Sequence, residues 1–136
     1  MSQGEIRPRR ARILIVEDEP NLRAMLARAL GGFEVDEADD GTSALARIRD
    51  GETYDAILCD LMMPGMSGYE LVDVLTRAGD PHAERILVMT GGATTEEAKT
   101  FLPRTTLPVL KKPFSCADLR AWLLVYLTCE APPASP

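Results

Sequence analysis

Ala56-Ile57-Leu58-Cys59-Asp60-Leu61-Met62-Met63-Pro64-Gly65-Met66-Ser67-Gly68 is the stretch whose reading decides the fold. Four apolar residues run unbroken into Asp60, and a loop rich in Pro and Gly follows at once. Such a run reads as a strand buried on both faces, as in a parallel sheet. An Asp ending that strand points into the crevice at the carboxyl edge of the sheet, where open α/β sheets bind ligands. Asp60 has company there. Glu17-Asp18 follows Ile13-Leu14-Ile15-Val16, Thr90 follows Ile86-Leu87-Val88-Met89, and Lys112 comes just after Val109-Leu110. These strand ends make an acidic pocket with one cation and one hydroxyl.

Outward from that stretch, strands and helices alternate. Arg12–Glu17 reads as the first strand. Pro20 suits the first turn of a helix, Leu22, Met25, Leu26, Ala29 and Leu30 repeat at helical spacing, and Gly31-Gly32 stops it. Phe33–Ala38 is shorter, polar and alternating, which suits an edge strand. Thr42–Asp50 is a helix closed by Gly51, and Asp55–Asp60 is the central strand. Ser67-Gly68-Tyr69-Glu70 is a capping box that opens a helix through about Ala78. Arg85–Thr90 is the fourth strand. Thr94-Thr95-Glu96-Glu97 reads as a second capping box, starting a short helix that Pro103 ends. Leu107–Lys111 is the fifth strand. Ser115-Cys116-Ala117-Asp118 caps a last helix whose Leu119, Trp122, Leu123, Tyr126 and Leu127 form one apolar stripe for core packing. Five strands and five helices in alternation predict a doubly wound, flavodoxin-like α/β fold. Its parallel sheet has the order 2-1-3-4-5, with helices on both faces. That order sets strands 1 and 3 side by side, so Asp18 meets Asp60.

Composition narrows the class. A chain of 136 residues suits one domain with a real core. The expected division is a basic leader over 1–11, the folded unit over 12–129 and a Pro-rich tail over 130–136. No apolar run approaches the ~18 residues needed to span a bilayer, and the leader lacks the apolar centre of a secretory signal. The net charge of −6 argues against nucleic-acid binding by the domain, and Arg7, Arg9, Arg10 and Arg12 read as a solvated arm. Cys59, Cys116 and Cys129 are an odd count without metal-ligand spacing, which suits reduced thiols in a cytoplasmic protein.

The chemistry of the pocket follows from charge. Glu17, Asp18 and Asp60 repel one another unless a cation neutralises them. Their oxygens are hard ligands with no His or Cys beside them, which suits Mg²⁺ rather than zinc. A carboxylate can itself attack phosphorus and form an aspartyl phosphate. The metal, Lys112 and Thr90 would then share the three phosphoryl oxygens. Blander readings compete for each residue alone: Lys112 as a surface lysine, Thr90 as strand packing or a helix cap. The Lys112-Pro113-Phe114 context weakens the first, and the coincidence of four strand ends weakens both.

The same residues resemble a response regulator receiver domain of the CheY-like kind, from Arg12 to Leu127. The resemblance rests on Glu17-Asp18, on Asp60 with the following Leu61-Met62-Met63-Pro64-Gly65-Met66-Ser67-Gly68, on Thr90 opening a loop, and on Lys112-Pro113-Phe114. It implies that Asp60 takes a phosphoryl group from a histidine kinase or a histidine phosphotransfer protein. It implies Mg²⁺ on Glu17, Asp18 and Asp60, with the backbone carbonyl of Met62 completing the set. Thr90 would turn toward the phosphate, Lys112 would pair with it, and Lys112-Pro113 would be cis. Such a domain catalyses only its own phosphoryl transfer and dephosphorylation, and its phosphorylated state alters binding to a downstream protein. The family often carries Tyr or Phe three residues before the lysine, as a switch partner of the threonine. Here Val109 stands there, and a valine cannot swing a ring inward. The loop Thr90-Gly91-Gly92-Ala93 resembles receivers attached to hybrid sensor kinases. With no effector domain in view, a stand-alone receiver or the receiver of a hybrid kinase is expected. A phosphatase of the haloacid-dehalogenase type also uses Asp and Mg²⁺, but it carries Asp-x-Asp where this chain has Asp60-Leu61-Met62. A pseudo-receiver, binding partners without phosphate, would not need all of Asp18, Asp60, Thr90 and Lys112.

Overall fold

A computed structural model of the chain describes residues 10–91 and 95–128. Most of the expected leader, the Pro-rich tail, Cys129 and the loop residues Gly92, Ala93 and Thr94 lie outside the described residues. The chain runs β1 (Arg12–Val16), α1 (Pro20–Ala29), β2 (Glu34–Ala38), α2 (Gly41–Arg49), β3 (Ala56–Asp60), α3 (Gly68–Arg77), β4 (Ile86–Thr90), α4 (Glu96–Arg104), β5 (Val109–Lys111) and α5 (Cys116–Thr128). The five strands form one parallel sheet of order β2-β1-β3-β4-β5, as the alternation predicts. No helix among the described residues is long and apolar enough to cross a membrane.

Strand periodicity divides the core. Successive side chains of a strand point to opposite faces. Leu14, Val16, Ile57, Cys59, Ile86 and Val88 therefore pack on one side, with Ala44, Leu45, Leu71, Leu75 and Ala98 from α2, α3 and α4. Ile13, Ile15, Ala56, Leu58, Leu87 and Met89 pack on the other, with Leu26 and Leu30 of α1 and its flank and Leu119 and Leu123 of α5. All five residues of β3 and of β4 are buried, which is why both read as unbroken apolar runs. Each fully buried Leu or Ile contributes roughly 1.5–3 kcal/mol. The polar β2 lies at the sheet edge, as its alternation predicts.

Several boundaries differ from the sequence reading, each for a local reason. β5 starts at Val109 rather than Leu107, since Pro108 has no N–H for the ladder, although its carbonyl accepts from Val88 at 2.9 Å. The N-cap of α4 is Thr95, whose hydroxyl accepts from the Ala98 N–H at 3.1 Å. The capping box read at Thr94 therefore moves by one residue and loses its reciprocal Glu. Pro103 lies within the last turn of α4, which ends one residue later at Arg104. A 3-10 turn, Pro81–Glu84, precedes β4, and the sequence analysis missed it. Asp80-Pro81 was the available signal, a cap followed by a proline in the first turn. In that turn the buried His82 accepts the Tyr54 N–H at Nε2 (3.0 Å) and meets Asp80 Oδ1 through Nδ1 (2.7 Å). That geometry puts the proton of the neutral ring on Nδ1.

Candidate functional site

Sheet register gathers the predicted residues. Val16 faces Cys59, Asp60 faces Met89 and Thr90 faces Lys111, so Glu17, Asp60, Thr90 and Lys112 come together at the carboxyl edge. Glu17, Asp60 and Thr90 are buried, and Asp18 is exposed. Carboxylate oxygens of Glu17, Asp18 and Asp60 lie within 4.8 Å of one another. Lys112 Nζ stands between two of them, 3.0 Å from Asp60 Oδ2 and 3.3 Å from Glu17 Oε1. The other oxygens of those two carboxylates are also held. Asp60 Oδ1 accepts the Met62 N–H at 3.1 Å, and Glu17 Oε2 accepts the Glu19 N–H at 3.1 Å.

Burial pushes the Glu17 carboxyl up to about 7, and the nearby Asp60 charge adds to that shift. The Glu19 N–H and the Lys112 ammonium pull the other way. Burial alone would lower Lys112, but its contacts with Asp60 and Glu17 win and its pKa rises, so it stays an ammonium. One ammonium against three carboxylates leaves the pocket negative. The donor set is all oxygen, which fits a hard divalent cation on Glu17, Asp18 and Asp60. Cys59 is no rival nucleophile. Its thiol is buried and its pKa is driven upward by that burial and by the charges of Asp60 and Glu17.

Local packing fixes these positions. A Cβ added at Gly68 would lie 2.5 Å from the Asp60 carbonyl oxygen and 2.9 Å from Leu61 Cα, so only glycine lets α3 start against the end of β3. Ser67 and Glu70 form the capping box predicted there. The Thr90 carbonyl accepts the Lys112 N–H at 2.7 Å, tying the ends of β4 and β5. Lys112-Pro113 is cis, as the resemblance implies. Val109 pairs with Val88 and is half-buried at the margin of the core.

Two contacts escaped the sequence analysis. Arg23 Nη1 donates to the Glu17 carbonyl at 2.8 Å and its Nε meets Glu37 at 3.3 Å, which pins the acidic loop to α1 and β2. The Met62 sulfur lies 3.9 Å from the Thr95 hydroxyl, so the loop after Asp60 touches the cap of α4. Neither carries a sequence signal, because both join residues with no common period.

Comparison with known proteins agrees with this geometry. The family model described as "Response regulator receiver domain" matches residues 13–124. The response regulator MprA of Mycobacterium sp. (strain KMS) is 34% identical over 127 residues, covering 92% of this chain and 54% of that protein. The response regulator receiver protein CpdR of Brucella abortus is 37% identical over 114 residues, covering 79% of this chain and 89% of its own. The receiver domain of sensor histidine kinase PA1611 from Pseudomonas aeruginosa, solved with a magnesium ion in its active-site cleft, superposes with a TM-score of 0.74 at 27% identity. That match covers 88% of this chain and 99% of the other. The matched segments cover 26% to 54% of the length of several curated regulators.

Proposed function

This chain belongs to the response regulator receiver domain family, and we propose that Asp60 is its phosphoacceptor. In this reading an Asp60 oxygen attacks the phosphorus of a phosphohistidine on a histidine kinase or a phosphotransfer protein. The O–P bond forms as the P–N bond breaks, and the imidazole leaves with the electron pair. Glu17, Asp18 and Asp60 would hold Mg²⁺, with the Met62 carbonyl as a further ligand. The ion would supply charge neutralisation for the carboxylates and the entering phosphoryl oxygens. Lys112 moves from the free carboxylate to a phosphoryl oxygen, and the Thr90 hydroxyl takes another. The phosphorylated domain, residues 12–129, then binds a downstream protein differently.

The observation that carries the reading is the meeting of Asp60 with two other carboxylates and with Lys112 at 3.0 Å. A phosphatase of the haloacid-dehalogenase type needs a second carboxylate two residues after the nucleophile. Met62 stands there, and its N–H holds Asp60 instead. Self-phosphorylation and slow self-dephosphorylation are therefore the only turnover proposed. Incubation with acetyl phosphate and Mg²⁺ should add one phosphoryl mass to the intact protein and none to Asp60→Asn. A stable adduct on that variant refutes the assignment.

A further inference from the structure

Asp18 is the exposed member of the carboxylate trio, so core packing does not aim it. Its backbone does. β1 ends at Val16, and the next N–H, that of Glu17, still reaches the Ala38 carbonyl of β2 at 3.1 Å. On the far side the Glu19 carboxylate caps α1, accepting from the Asn21 and Leu22 N–H groups at 3.2 and 2.6 Å. Between these two anchors the Glu17 carbonyl accepts from a side chain, Arg23 Nη1, at 2.8 Å. That carbonyl and the Asp18 N–H belong to one rigid peptide plane. Holding the oxygen therefore fixes the plane from which the Asp18 side chain departs.

By charge alone Arg23 is badly placed. A guanidinium bonded to the backbone of one carboxylate residue, and next to another, weakens the attraction of both for a metal ion. Geometry gives it a use. The planar fork holds two acceptors at once, the Glu17 carbonyl through Nη1 and the Glu37 carboxylate through Nε at 3.3 Å. One side chain of α1 thus ties the acidic loop to the edge strand β2. Arg47 offers a comparison within the same molecule. It lines the same polar pocket of about 330 Å³ with Arg23, Glu37, Asp39 and Ser43, but it pairs with Asp36 at 3.7 Å.

We propose, resting on the Mg²⁺ reading of the carboxylate site, that Arg23 is a positioning residue for the metal: its bond to the Glu17 carbonyl aims the Asp18 carboxylate at the ion. Arg23 touches neither the metal nor the phosphoryl group. Its effect on the ion is the difference of two opposed contributions. Its charge weakens Mg²⁺ binding, and its hydrogen bond strengthens binding by holding Asp18 in place before the ion arrives. The second outweighs the first, because groups that orient metal ligands commonly govern affinity by a factor of about ten or more, whereas the charge of Arg23 is already paired with Glu37. Loss of the guanidinium therefore weakens Mg²⁺ binding, the opposite of what charge alone gives.

The test is Mg²⁺ titration of the isotope-labelled full chain, followed at the Asp18 and Asp60 amides, for wild type, Arg23→Met, Arg23→Lys and Arg47→Met. Arg23→Met keeps the aliphatic stem and removes donor and charge; its Mg²⁺ affinity should fall about tenfold. Arg23→Lys keeps the charge and one donor but not the fork, and should bind between the two. Arg47→Met removes the same charge from the same pocket and should bind Mg²⁺ as wild type does, or slightly more tightly. In metal-free Arg23→Met the Asp18 amide should already be displaced, because its peptide plane is no longer held. Tighter or unchanged Mg²⁺ binding in Arg23→Met would overturn the proposal, as would equal losses in Arg23→Met and Arg47→Met, or an Asp18 amide at its wild-type position in metal-free Arg23→Met. Should Arg23→Met not fold, Arg23→Lys decides: charge alone predicts wild-type affinity, and positioning predicts weaker binding. Wild-type protein whose Asp18 and Asp60 amides do not respond to Mg²⁺ would refute the metal reading itself, and this proposal with it; a wild-type response that survives in Arg23→Met refutes the proposal alone.

Discussion

Gly68→Ala adds one methyl group where α3 meets the end of β3. The new Cβ would lie 2.5 Å from the Asp60 carbonyl oxygen, 2.9 Å from Leu61 Cα and 3.1 Å from the Asp60 carbonyl carbon. All three are backbone atoms, so no side chain can rotate away. Relief requires α3 to move off β3 by most of an ångström, against the Gly68 N–H bond to the Leu61 carbonyl at 3.1 Å. Overpacking of this kind costs about 1–3 kcal/mol. Gly68 is not at positive φ, so the usual gain from restricting the unfolded chain, about 0.4–1 kcal/mol, works in the opposite direction. The net loss is about 1–2 kcal/mol, or a Tm lower by roughly 3–8 °C. Displacing the Asp60 backbone should also slow phosphorylation by acetyl phosphate, since an ångström of misplacement can cost up to about a hundredfold. Gly79→Ala is the control. Gly79 has φ +67° and open space around its Cβ position. That variant should lose about 1 kcal/mol to backbone strain and phosphorylate normally. Thermal unfolding and a mass-spectrometric time course read both quantities. Wild-type Tm and rate in Gly68→Ala, or equal phosphorylation defects in the two variants, would refute the packing account.

Asp18→Ala should lose at least about tenfold in Mg²⁺ affinity, read by amide shifts, and most of its phosphorylation; unchanged phosphorylation would place the metal elsewhere. Lys112→Ala should still accept phosphate, more slowly, but show smaller amide shifts on phosphorylation, and wild-type shifts would remove its role as reporter. Glu17 makes metal-free protein pH-sensitive. Its folded pKa, about 7, lies above the unfolded value of 4.5, so the folded state binds the extra proton. Its contribution is fully present below 4.5 and is lost as pH rises through about 7, by up to ~3 kcal/mol at 1.36 kcal/mol per pKa unit. Denaturant unfolding in EDTA should therefore show stability falling over that window in wild type and a flatter profile in Glu17→Gln; parallel profiles would contradict the shift.

Much of this was legible in the sequence because burial on two faces leaves a strong mark. β3 and β4 contain no polar residue before their last position, and that last position, Asp60 or Thr90, faces the carboxylate pocket. Once two such strands and a third ending in Glu17-Asp18 are recognised, the parallel order brings Asp18 to Asp60 without any contact information. Boundaries were weaker where two signals overlapped. Thr94 and Thr95 are both good caps, and the Glu97 spacing favoured the wrong one. Leu107 continues the apolar pattern of β5 although Pro108 cannot continue its ladder. Contacts such as Arg23 with the Glu17 carbonyl, Met62 with Thr95, or His82 with the Tyr54 N–H left no trace, because each joins one side chain to a point fixed only by the tertiary fold.

The pocket is also where local stability is set aside. Two ionised carboxylates 4.8 Å apart repel by about 3–4 kcal/mol at an effective dielectric constant near 20, and three such groups share this space. Lys112 relieves two of them and leaves Asp18 to solvent. A core of similar volume built from apolar residues would not carry this cost. Sequence features that lower stability while agreeing with the fold at every other level mark functional positions. The raised Glu17 pKa has a related origin: burial disfavours its charged form first, and the neighbouring Asp60 charge adds to that. Adding a phosphoryl group to Asp60 brings further negative charge into the same volume. In the proposed reading, Glu17 and Asp18 must be neutralised before Asp60 can react, which would make metal dependence a consequence of the carboxylate spacing.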